Sequence, residues 1–139
     1  MEQKEYYDSR LMALQKAIKG LSESLELHAE NFDPILSDLI KCGHVQKFEY
    51  CAELLWKTIK LWLVRQEFID VNSPKAVIKT FYQAAEISDH LYQQLLLVIH
   101  HRNLYSHVYN QNEFEKLYKL LSQHTNTIKE AIHVLEQKE

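Results

Sequence analysis

The sequence predicts an all-α protein, an up-and-down bundle of four to five helices. Two observations carry this. The chain holds only two glycines and two prolines in 139 residues, so it has few helix breakers. Its apolar residues recur at three- and four-residue spacing, and nothing alternates with period two for long enough to make a sheet. With 46% apolar content there is material for one buried core, and a single domain over residues 1–139 is expected.

The elements follow in order. Tyr7, Leu11, Leu14, Ile18, Leu21 and Leu25 form one stripe, and the first helix is expected to end near His28. Asp33-Pro34 supplies a capping carboxylate and a proline at the first helical position. The second helix then runs to about Gln66 through Phe48, Ala52, Leu55, Ile59 and Trp62, with Gly43 as a candidate kink. Tyr50, Leu54 and Leu61 give it a second apolar stripe, as in a central helix buried on two sides or one that also meets another subunit. Asn72-Ser73-Pro74 opens a short third helix through Ala85, and Ser88-Asp89 caps the fourth. Asn112 with Glu115 three residues later spells a capping box for the fifth, whose stripe runs from Phe114 to Leu135.

Bulk properties narrow the function. A net charge of −3 and a pI near 6.2 argue against a broad basic nucleic-acid surface while leaving room for a local phosphate site. Cys42 and Cys51 lie nine apart on one helix, about 13 Å, beyond disulfide reach. No zinc spacing accompanies them, and a reduced, cytoplasmic setting is expected. The polar start Met1-Glu-Gln-Lys-Glu lacks a signal-peptide core, and the longest apolar run, Leu95–Ile99, is too short to span a membrane.

The chemistry concentrates in residues 102–109, Arg-Asn-Leu-Tyr-Ser-His-Val-Tyr. Leu91, Leu95 and Val98 form a stripe whose next position is Arg102, so a charge falls where an apolar residue is due. Such a charge is costly unless paired or used. Arg102 and His107 are five apart, about 140° around a continuous helix. They converge only if the helix ends between them, or if each meets its counterpart from a second subunit. Arg102, Ser106 and Tyr109 share a sector of about 60°. An arginine fork can hold phosphate and stabilise a pentacovalent phosphorane. Histidine can move the proton of a ribose 2′-hydroxyl or of a leaving oxygen near neutral pH. Asn103 can orient the imidazole or hold a phosphate oxygen. The plain alternative makes Arg102 a helix-end cation and His107 a carbonyl cap.

Other polar groups read more simply. His100 and His101 point about 100° apart with no carboxylate at i±4, so no metal or other cofactor is expected. Glu49, Glu53 and Lys57 form an i, i+4, i+8 ladder, either a solvated stripe or a contact with another chain. Trp56, Trp62, Tyr6, Tyr7 and His124 read as packing residues.

The octapeptide resembles the Arg-x4-His-x-Tyr motif of the HEPN superfamily of helical, dimeric, RNA-directed proteins. Upstream, Gly43-His-Val-Gln-Lys-Phe-Glu-Tyr-Cys-Ala-Glu-Leu-Leu-Trp-Lys57 resembles one branch of it. That branch is the nucleotidyltransferase substrate-binding proteins, related to HepT-like toxins. Ser73-Pro74-Lys75 with Ile78 resembles its third-helix entry, and the likeness covers roughly residues 6–135. The resemblance implies a HEPN-like bundle that is homodimeric across the motif-bearing helices. It also implies a partner, a separately encoded minimal nucleotidyltransferase. In the toxin–antitoxin arrangement Arg102 and His107 are catalytic in an endoribonuclease, with Asn103 and Ser106 supporting them. Tyr109 is then the phenol the partner modifies with AMP, and Glu49 and Lys57 lie at a partner or dimer contact. Glu86 stands where relatives often carry glycine. Tyr105 replaces a small hydroxylated residue, which is expected to narrow the cleft or add stacking surface to it.

Three functions compete at this level. One is a metal-independent endoribonuclease with RNA in the dimer cleft. Another is a non-catalytic subunit that presents a nucleotide or other substrate to the nucleotidyltransferase. The third is a scaffold in which the motif is idle.

Overall fold

The computed structural model describes residues 2–68, 70–108 and 110–138. It is all-helical: α1 (Glu2–Ser24), a 3-10 turn (Ala29–Asn31), α2 (Pro34–Arg65), α3 (Pro74–Ala84), α4 (Asp89–Tyr105), α5 (Gln111–Tyr118) and α6 (Leu121–Gln137). The 32-residue α2 is the axis of the bundle and packs on α1, α3, α4 and α6. Its second stripe is only partly covered, with Tyr50 exposed, Leu61 half-buried and Leu54 nearly buried, while Phe48, Leu55, Ile59 and Leu63 are wholly buried and Trp62 nearly so. Each such side chain contributes about 1.5–3 kcal/mol by leaving water.

Helix starts follow their capping chemistry. Asp33 accepts from the Ile35 and Leu36 amides, Ser73 from Ala76 and Ser88 from Leu91. Gly43 sits inside an unbroken α2, with open space where a Cβ would be. Three boundaries differ from expectation. The first helix stops at Ser24 rather than near His28, and the Ser24 hydroxyl donates back to the Leu21 carbonyl. The α5 cap is Asn110, accepting from the Glu113 amide, so Asn112 lies within the helix. The last long helix is two, with a break at Lys119–Leu120.

Two turns hold non-glycine residues in the left-handed region. Glu67 at φ 71° follows α2, where the Glu67 amide donates to Val64 and the Phe68 amide to Leu63, closing the helix end by a Schellman pair. Glu86 at φ 53° precedes α4. Glutamate thus adopts the left-handed backbone that glycine takes without penalty.

Candidate functional site

The inward stripe of α4 is as expected: Leu91, Leu95 and Val98 are buried, and Arg102 comes next at the rim of the core, half-buried. Its guanidinium faces α2. Nη2 lies 3.3 Å from Glu53 Oε2, while Nε is buried with no hydrogen-bond partner. Lys57 meets the same carboxylate at 3.3 Å from the next turn of α2 and lies 6.0 Å from the Trp56 ring centre. Burial alone would raise the Glu53 carboxyl. Hydrogen bonds from Trp56 and Lys57 and the charges of Arg102 and Lys57 outweigh it and hold the group below its ordinary value. Glu49, one turn earlier, goes the other way: burial raises it and the Arg102 charge only partly opposes this. Arg102, Glu49 and Lys57 therefore gather around Glu53, which the sequence shows only as one rung of a ladder.

The second half of the motif is placed differently. Helix α4 ends at Tyr105, between Arg102 and His107, as convergence of the two would require. The Ser106 amide donates to Asn103 and the His107 amide to Leu104. Ser106 and His107 are both exposed. The imidazole, however, does not join Arg102. It lines an open groove of about 300 Å³ with Leu104, Glu113, Lys116 and Leu117, on the α5 side. Asn103 takes a third direction, into a groove between α3 and α4. Tyr109 lies outside the described residues.

Tyr105 corrects the expectation of cleft stacking. Its ring packs inward, edge-on to Phe48 at 5.9 Å and to Phe114 at 6.2 Å, and burial is the main reason its phenol is pushed up. The Tyr105 hydroxyl is buried without a hydrogen-bond partner.

Two histidine networks flank the motif, and sequence spacing gave no sign of either pairing. His124 is wholly buried on α6, stacked on Phe48 at 5.4 Å, with Nε2 2.7 Å from Nδ1 of His101. Burial, then the neighbouring His101, brings the His124 imidazole down to about 4. This pair ties α6 to α4 one residue before Arg102. On α2, buried His44 reaches the Ser24 carbonyl through Nε2 at 2.6 Å and the Tyr118 hydroxyl through Nδ1 at 2.7 Å. A carbonyl only accepts, so Nε2 carries the proton and Nδ1 accepts from the phenol. Lys41 meets Glu115 at 2.8 Å nearby, so α5 is held to α2 by two contacts. Among the described residues no helix is long and apolar enough to cross a membrane.

These features define a helical bundle with a charged arginine at its rim and a histidine just past a helix end. Residues 9–137 match the family described as nucleotidyltransferase substrate binding protein like, and the chain belongs to that family. A crystal structure of a Thermus thermophilus protein is similar to it, with a TM-score of 0.72 and 25% identity over 86% of this chain and 96% of that one. Comparison with curated proteins found no match.

Proposed function

We propose that the protein is a metal-independent endoribonuclease that acts as a homodimer and works beside a minimal nucleotidyltransferase. The observation that supports this most directly is the state of the two motif residues. Arg102 is held at the core rim with one buried N–H still unpartnered, and His107 stands exposed where α4 ends. Within one protomer they face different elements. A second copy docked at the end of α4 supplies both to one cleft. Leu104 and His107 are exposed there and leave such a face uncovered.

The reaction balances without a metal. The 2′-oxygen attacks the adjacent phosphorus as one His107 takes its proton, and Arg102 stabilises the charge of the phosphorane. The P–O5′ bond then breaks and O5′ receives a proton from the His107 of the second copy. The products are a 2′,3′-cyclic phosphate and a 5′-hydroxyl. Solvent exchange resets the two imidazoles. Glu53 keeps the guanidinium in place between turnovers and yields to the phosphate. Addition of AMP to Tyr109 by the nucleotidyltransferase would place bulk and charge two residues from His107 and silence the site.

The family description favours a second reading, in which the same residues hold a nucleotide for the nucleotidyltransferase and cleave nothing. Incubating labelled single-stranded RNA with the purified protein in excess EDTA separates the two. The expected result is cyclic-phosphate ends with the wild type and none with Arg102→Ala or His107→Ala. An inactive wild type, folded, dimeric and unmodified at Tyr109 by intact mass, removes the ribonuclease and favours the binding subunit.

A further inference from the structure

We infer that the groove between the start of α3 and the middle of α4 binds one nucleotide unit, its base on an apolar floor and its phosphate held by Lys75, His100 and Asn103. The inference rests on the RNA-directed reading for its ligand class, and on the groove itself for everything else. The space is about 390 Å³, within the range of small-ligand pockets. Leu96 and Leu97 belong to its floor, while Lys75, Gln93, His100 and Asn103 line it with donors. No carboxylate lines it, although the chain as a whole is acidic. Lys75 is exposed and enters no hydrogen bond or ion pair among the described residues.

The donor set fits a phosphate, since an ammonium, an imidazole and a carboxamide together offer several N–H groups to its oxygens. Backbone contributes little here. Ser73 takes the Ala76 amide through Oγ and the Val77 amide through its carbonyl, and Pro74 has no N–H. Recognition therefore falls to the side chains. A bare anion would leave the leucine floor unused, whereas a base or ribose ring covers it. The other open grooves compare poorly: the one beside His107 includes Glu113, and the one between α4 and α6 includes Glu130.

Position links the groove to the motif. Asn103 follows Arg102 directly, about 100° around α4 and 1.5 Å along it. A strand crossing the end of α4 can seat one nucleotide in the groove while a neighbouring phosphate reaches Arg102. The groove would then decide which nucleotide stands beside the scissile bond.

The test uses the full chain carrying His107→Ala, so that no cleavage intervenes, and measures anisotropy of a fluorescent uridine octanucleotide. Uridine monophosphate and uridine serve as competitors. Binding is expected, with the monophosphate competing and the uncharged nucleoside at least about tenfold weaker. Lys75→Glu with His100→Ala should weaken binding at least about tenfold, while Lys75→Arg stays near the parent because it keeps the charge. The methyl resonances of Leu96 and Leu97 should move as the monophosphate is added. Competition by the monophosphate at the octanucleotide's own affinity identifies free nucleotide as the ligand; a much tighter octanucleotide identifies a strand. Both variants sit at exposed positions, and circular dichroism checks that they fold.

Unchanged affinity in the Lys75→Glu, His100→Ala protein, or no binding of either probe, overturns the proposal. Binding that depends on Lys75 in a protein whose wild type cleaves no RNA supports the groove and removes the ribonuclease reading. Wild-type cleavage that the groove variants leave untouched, with unchanged binding, removes only the groove.

Discussion

The two ends of the motif are held in different ways. Arg102 is anchored by the fold: it extends the buried stripe of α4 and lies 3.3 Å from Glu53 on α2, and the residue before it is bound to buried His124. His107 sits past the last helical turn, exposed, with its backbone amide on Leu104 as its visible tether. The fold thus fixes the arginine end of the motif and leaves the histidine end to be placed by what it meets; in the proposed ribonuclease these are the electrostatic and the proton-transfer halves of the site.

The largest expected effect breaks this comparison on one readout and preserves it on another. Arg102→Ala and His107→Ala should each lower RNA cleavage by about 10²- to 10⁴-fold. In urea unfolding they should separate. Arg102→Ala leaves Glu53 with Lys57 alone and takes from Glu49 the charge that opposes its burial, and should cost about 1 kcal/mol. His107→Ala should stay within about 0.5 kcal/mol. A His107→Ala protein as destabilised as Arg102→Ala would mean that His107 is part of the packing.

The anchored side also carries a pH dependence. His124 is wholly buried and titrates near 4 when folded, against about 6.5 unfolded. The unfolded chain therefore binds the proton more tightly between those values. Stability is full above pH 6.5 and falls as the pH drops toward 4, by about 2 kcal/mol at pH 5. His101 is shifted in the same direction, chiefly by burial. Denaturant titrations at pH 7.5 and 5.0 should show this loss, and His124→Gln should largely flatten it whatever its absolute stability. An equal slope in the variant would assign the effect elsewhere.

How much of this was legible in the sequence depended on whether the deciding contact was local. The caps at Asp33, Ser73 and Ser88 use side chains that bond two or three residues ahead, so their positions could be read directly. Arg102 stood out because a charge in an apolar stripe is costly on its own terms. Its Glu53 partner, the His101–His124 pair and the inward turn of Tyr105 are contacts between helices, which spacing along one helix does not contain. The break at Lys119–Leu120 was hidden for a related reason. The apolar spacing of Phe114, Leu117 and Leu121 runs on across it, while Tyr118 is held back by His44 on α2.

The loose side is sharpened by the start of α5, whose residues form the other wall of the His107 groove. Asn112-Glu-Phe-Glu115 is the capping pattern expected from the sequence, and Asn110-Gln-Asn-Glu113 spells the same pattern two residues earlier. In the structure the Asn110 carboxamide accepts from the Glu113 amide at 2.9 Å. Asn110→Ala should therefore cost about 1 kcal/mol, and Asn112→Ala less than about 0.5. Equal losses in chemical denaturation would move the helix start and with it the groove wall.

The smallest effect concerns the entry to α4, which sets where Arg102 arrives. Glu86 occupies the left-handed region at φ 53°, and Ile87 beside it is buried while the Glu86 side chain itself is exposed. A glutamate there bears a steric cost of about 1–2 kcal/mol that glycine avoids, offset in part by the larger entropy glycine loses on folding. Glu86→Gly should therefore stabilise the protein by about 0.5–1 kcal/mol, measured as a higher urea midpoint with unchanged slope. Cleavage should be unaffected, because the substitution relaxes a turn without moving the helix it feeds. Were stability to fall instead, the exposed carboxylate would be making a contribution that outweighs the backbone strain, and the anchoring of α4 would begin one turn earlier than the inward stripe suggests.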